Sequence, residues 1–150
     1  MESGSARVLV VAHKTAATPN LIEAVRERAQ RGPVSFTLLV PNPAHGLHRV
    51  VDPEDLDTDE ARQTIELATP LLEEAAGSEV EHIIGVSDPL DAIQDAMNLH
   101  GKFDEIIIST LPATVSRWLH IDLPHKATGL GVPVTTVTPK GIERLEAHGG

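Results

Sequence analysis

Five short runs rich in aliphatic and β-branched residues are spaced along the chain, and a stretch with helical periodicity separates most neighbouring pairs. The runs are RVLVVA (7–12), VSFTLLV (34–40), VEHIIGV (80–86), FDEIIIS (103–109) and VPVTTV (132–137). Several are nearly continuous rather than alternating, the pattern of strands covered on both faces. Thr18 and Pro19 read as the cap and first residue of a helix that carries Leu21, Ile22, Val25 and Ala29 on one side and ends at Gly32. Asp88 and Pro89 repeat that start signal, with Leu90, Ile93, Ala96 and Met97 on one side and Gly101 as the stop. A longer helix covers roughly 58–76, with Ala61, Ile65, Ala68 and Leu72 at helical spacing and Gly77 as its end. Pro70 lies inside that pattern and is expected to kink or split it.

Strict alternation of strand and helix implies a parallel sheet with helices on both faces. Right-handed crossovers leave few topologies, with strand orders 2-1-3-4-5 (flavodoxin-like) and 3-2-1-4-5 (Rossmann-like) the natural candidates. In the second, strands 1 and 4 are neighbours whose helices leave to opposite faces, and the crevice at their carboxyl ends is where ligands of such folds bind. The 150 residues suit one domain. Its core is expected to span 7–138, with a long polar connection at 41–57 and a loose tail at 139–150.

With 12 Lys and Arg against 22 Asp and Glu, the net charge is −10. That charge repels phosphate backbones and anionic lipid, so nucleic-acid and membrane-surface partners are not expected. No apolar run reaches the length of a membrane span, and MESGSAR lacks the apolar core of a signal peptide. Cysteine is absent, which removes disulfides, thiolate catalysis and Cys-based zinc sites and fits a cytoplasmic protein. No nucleophile elbow, Walker loop or metalloprotease motif is present, and Ser109 and Thr110 make no catalytic pair without a placed base, so no enzymatic activity is expected. His45 and His48 in HGLH, with Asp52, form a candidate metal site, but no helix fixes their spacing.

Three stretches together give the chain a specific resemblance. VLVVAHKTAATPNLIEAV runs from strand directly into short loop and helix. GVSDPLDAIQDAM joins strand to helix through Asp-Pro. FDEIIISTL…GLGVPVTTV reads as strand, long turn, helix and closing Pro-Val strand. Over residues 7–138 the chain resembles a universal stress protein domain. The resemblance implies a Rossmann-like three-layer α/β/α fold with five parallel strands in order 3-2-1-4-5. It also implies a stress-response or regulatory role, and a homodimer through the edge of strand 5 at Val132, Val134 and Thr136.

Nucleotide-binding members of that family cradle phosphate in a turn of the form G-x2-G-x9-G-[S/T]. Laid on this sequence, the motif positions fall on Ser109, Pro112, Asp122 and Leu123, so the spacing is kept and every motif residue differs. Pro112 removes an N–H donor. Asp122 brings a carboxylate towards the phosphate position, a repulsion of about 1 kcal/mol per charge pair at ~4 Å even in a water-like dielectric. His13 stands where family binders tend to carry an acidic residue. No cofactor is therefore expected, with ATP or AMP as the alternative. The candidate crevice comprises Ala12, His13, Lys14, Thr15 and Val40, together with Ser109, Pro112, Arg117, Asp122 and Leu123. Asp122 also reads simply as the cap of a helix continuing through Leu123 and Pro124. Trp118, with Val115, Leu119 and Leu123, is expected to anchor the turn on the sheet, and Trp118 and Leu119 to fill the room a nucleotide would need.

Overall fold

In the computed structural model, residues 5–13, 15–42, 53–112 and 114–147 are described, without the side chains of 53–59. The elements follow the alternation: β1 (Ala6–Val11), α1 (Pro19–Gln30), β2 (Val34–Pro41), α2 (Pro53–Ala76), β3 (Val80–Gly85), α3 (Pro89–His100) and β4 (Glu105–Ser109). Two short helices, α4 (Arg117–His120) and α5 (Leu123–Thr128), precede β5 (Val134–Thr138) and β6 (Gly141–Leu145). The described strands form one sheet in the order β3-β2-β1-β4-β5-β6. The first five are parallel, as the alternation requires, and β6 runs antiparallel to β5.

Alternate residues of the central strands feed two cores. Val8, Val10, Phe36, Leu38 and Ile107 pack with Leu21 and Val25 of α1 and Ile65, Ala68 and Leu72 of α2. Leu9, Val11, Leu39, Ile106 and Ile108 pack with Ala92, Ile93 and Ala96 of α3 and Leu123 and Ala127 of α5. This two-sided burial explains why β1 and β4 read as unbroken apolar runs. Gly101 closes α3 at φ 89, a conformation that favours glycine. Thr18 occupies the start of α1, but its hydroxyl donates to the Thr15 carbonyl at 2.9 Å instead of capping the helix. Asp88 does cap α3, accepting from the Asp91 N–H at 3.0 Å. The Arg28 guanidinium, in the last turn of α1, grips the Glu105 carboxylate with both Nε and Nη2 at 2.8–3.0 Å and pins the helix to the start of β4.

Three sequence expectations change. The sheet has six described strands and is mixed, not five and all parallel, because residues 141–145 of the supposed tail return as β6 through a tight turn at Pro139 and Lys140. Most of β6 is exposed, so its backbone ladder to β5 holds it rather than burial, and no apolar periodicity announces it. In consequence β5 is not an edge. Val134 and Thr136 are buried, Val132 packs against the second core, and the strand 5 edge expected to carry the homodimer is covered by β6. Finally, α2 is not split: it runs through Pro70 as a single element.

Two outcomes follow from this packing. A Cβ at Gly85 would stand 2.7 Å from Ala92 Cβ and 3.1 Å from Leu39 Cδ1, since β3 and α3 approach closely there. Gly85→Ala is expected to lower stability by about 1–3 kcal/mol in urea unfolding. A chain ending at Thr138 loses β6 and uncovers a β-branched edge, and sedimentation should show it self-associating more strongly than the full chain.

Candidate functional site

The carboxyl ends of β1 and β4 lie side by side, with Val11 level with Ile108. Beyond them the two loops are tied together by hydroxyls. Thr15 Oγ1 and Ser109 Oγ are 2.7 Å apart, and Thr110 Oγ1 and Ser116 Oγ are also 2.7 Å apart. All four residues are buried. Ser116 Oγ in addition accepts the Leu119 N–H at 3.0 Å and starts α4. Burial of these hydroxyls costs little because each has a partner.

Above this floor opens a cavity of about 600 Å³, within the range of small-molecule sites. His13, Thr15, Ser109, Thr110 and Ser116 lie towards β1 and β4. Pro41 and Asn42 come from the end of β2, and Ser87, Asp88 and Pro89 from the start of α3. Leu111, Val115, Arg117, Trp118 and Ile121 come from the turn after β4. Leu111, Val115 and Ile121 are 41%, 58% and 43% exposed and give the mouth an apolar rim. Among the described lining residues the charged side chains are Arg117 and Asp88. The four floor hydroxyls bond to one another and to backbone.

Several backbone donors of the turn have internal partners. The Pro112 carbonyl accepts the N–H groups of both Val115 and Ser116 at 2.9 Å. Pro112 has no N–H of its own. Further along, the Leu119 N–H is committed to Ser116 Oγ and the Asp122 N–H to the Leu119 carbonyl at 3.1 Å. A cradle of convergent backbone donors, the usual means of holding a polyphosphate, is thus not formed by these groups.

Of the ten residues expected in the crevice, His13, Thr15, Ser109 and Arg117 line the cavity. Ala12, Val40 and Leu123 are fully buried in the cores instead. Pro112 shapes the turn through its carbonyl without lining the cavity. Asp122 is exposed, outside the cavity wall, and pairs with His125 Nδ1 at 2.9 Å, so it does not stand at the crevice as expected. Nor does its side chain cap α5. Its backbone is left-handed at φ 60, the conformation a glycine of the phosphate motif would supply, and Asp tolerates it better than most residues. Lys14 lies outside the described residues, as do His45, His48 and Asp52; among the described residues no cluster of three metal-ligating side chains occurs.

The expected closure of the turn over the crevice is not seen. Trp118 packs against the second core as an anchor, but it forms a wall of the cavity and leaves the space open. Sequence reasoning also missed Asn42, Ser87, Asp88 and Pro89 as lining residues. The Asp88-Pro89 helix start was a usable signal, since strand order 3-2-1-4 carries α3 back across β2 towards the same crevice.

No protein-family model matches the chain, and no curated protein matches it. Solved structures do. The universal stress protein from Archaeoglobus fulgidus aligns with a TM-score of 0.62 and 21% identity over 88% of this chain and 93% of that one. The A. fulgidus universal stress protein in complex with dAMP aligns with a TM-score of 0.56 and 20% identity, covering 89% and 97%. A universal stress protein in complex with cAMP aligns with a TM-score of 0.53 and 13% identity, covering 88% and 95%. By its strand order, its crevice and these neighbours, the chain has the universal stress protein fold.

Proposed function

We propose that this chain is a non-enzymatic, universal-stress-like regulatory protein. Its crevice takes a nucleoside-sized ligand of low charge and does not hold ATP in the family manner. The observation that carries this is the contrast within one site. The cavity of about 600 Å³ is open, walled by Trp118 and floored by paired hydroxyls, while the Pro112 carbonyl consumes the Val115 and Ser116 N–H groups. Room for a ring system and a sugar is therefore kept, and the backbone means of gripping phosphate is lost. Among the described lining residues Arg117 is the one Lys or Arg of the cavity wall, set in a chain of net charge −10. The dAMP and cAMP complexes of the fold neighbours support an adenine-type ligand as the first probe.

Among the described residues no helix is long and apolar enough to cross a membrane, and the absence of cysteine suits a cytoplasmic location. The homodimer through β5 is not part of this proposal, because β6 occupies that edge.

Calorimetric titration with adenosine, AMP and Mg-ATP tests the reading. Adenosine is expected to bind with a micromolar Kd, and adding phosphates is expected to change Kd by less than about threefold, under 1 kcal/mol. Mg-ATP binding tenfold or more tighter than adenosine, with the gain lost in Arg117→Ala, would restore ATP as the ligand. Adenosine failing to bind at millimolar concentration would remove the proposed ligand class altogether.

A further inference from the structure

Eight large apolar side chains are exposed among the described residues, and three of them, Leu111, Val115 and Ile121, line the one cavity. Leu67, Leu71, Val86, Leu99 and Ile142 lie elsewhere. Single exposed apolar residues need no explanation, but a group of them around a concave opening does. Core packing does not supply one, since none of the three belongs to either core. Nor does the turn need their side chains. Its course is set by the Thr110–Ser116 hydroxyl pair, by the Pro112 carbonyl, which accepts the Val115 N–H, and by the Arg117 carbonyl, which accepts the Ile121 N–H at 3.1 Å. Polar residues could make the same backbone bonds. Those bonds fix the backbone from which three apolar side chains reach the cavity beside Trp118. A group entering the opening meets them together. A charged group there would gain Arg117 and lose water to the apolar rim, whereas an apolar group gains from every contact with it.

We infer that Leu111, Val115 and Ile121 bind an apolar substituent of the ligand. The ligand class is then a nucleoside whose 5′ carbon carries an alkyl or thioether group where a nucleotide carries phosphate. This inference rests on the proposed nucleoside-sized occupant, whose 5′ carbon that reading turns towards the loop after β4. The cavity of about 600 Å³ has room for such a group beyond a ring system and a sugar. Selection arises from burial: a 5′ hydroxyl must give up water at an apolar rim, and a thioether or alkyl chain leaves water for it. Affinity should therefore climb with the length of the chain, by about two- to fourfold for each methylene that the rim covers.

The test titrates the native chain with adenosine, 5′-deoxy-5′-methylthioadenosine and 5′-deoxy-5′-butylthioadenosine. The methylthio compound is expected to bind at least about fivefold more tightly than adenosine, and the butylthio compound at least about threefold more tightly again. In a Val115→Asn, Ile121→Asn double variant the whole advantage over adenosine is expected to fall below about twofold. Both side chains are exposed and both backbone bonds survive the change. Val115→Thr, which keeps the shape of the side chain, serves if the double variant does not fold, and is expected to lower the advantage by about twofold or more. Leu99→Asn, on α3 and outside the cavity, is expected to keep the advantage in full. An advantage that survives in the rim variants overturns the assignment, and so does one lost equally in Leu99→Asn. Equal binding of the three nucleosides by the native chain overturns the inference, leaves the nucleoside-sized ligand standing and makes a protein surface the cover of the rim. Binding of none of them overturns both.

Discussion

The parallel pairing of β1 with β4 is the constraint on which the rest of the molecule depends. Leu9 lies level with Ile106, Val10 with Ile107 and Val11 with Ile108, and all six are buried. Each such side chain contributes roughly 1.5–3 kcal/mol when removed from water, so slipping this register by one residue would reverse both cores at once. The helices that follow the two strands pack on opposite faces, α1 on one and α5 on the other. Chain therefore diverges above the strand ends, and a crevice is the geometric result. Thr15 and Ser109 sit at the point of divergence, and their hydroxyl pair closes the floor that the diverging backbones leave.

The turn after β4 is held by internal partners at several of its side chains and N–H groups. Asp122 holds the left-handed conformation at φ 60 where the motif has glycine, and it secures its side chain outside the cavity on His125. Leu123 stands where the motif has a hydroxyl and is fully buried in the core beneath α5. Ser116, which lies outside the motif positions, takes over as the polar organiser, bonding Thr110 and the Leu119 N–H together. Stabilisation of the turn thus comes in part from internal partners. The cavity beside it persists because Trp118 packs sideways onto the second core rather than across the opening.

How far the sequence could be read depended on what holds each part. Strands buried on both faces and helices with one apolar side leave a periodic signal, and β1, β2, β4, α1 and α3 were legible within two residues. β6 leaves none: Gly141, Ile142, Glu143 and Arg144 are exposed, and the strand exists through its ladder to β5. The misplaced sheet edge follows from that single omission. At the site, residue type and spacing located the loops but not the direction of side chains. Asp122 was expected to face the crevice and turns away; Asn42 drew no attention in a polar connection and supplies a wall. Whether Trp118 fills or borders the crevice depends on its rotamer and on α4, a four-residue helix too short to have a period.

Trp118 is the single tryptophan of the chain and lines the cavity, so its emission reports directly on what enters. Titrating the protein with adenosine and, separately, with inorganic triphosphate tests whether the crevice has kept its nucleoside room and lost its phosphate grip. The predicted result is a saturable change in Trp118 emission with adenosine and none with triphosphate, which also fails to displace the nucleoside. A saturable response to triphosphate at micromolar concentration, with no response to adenosine, would contradict it.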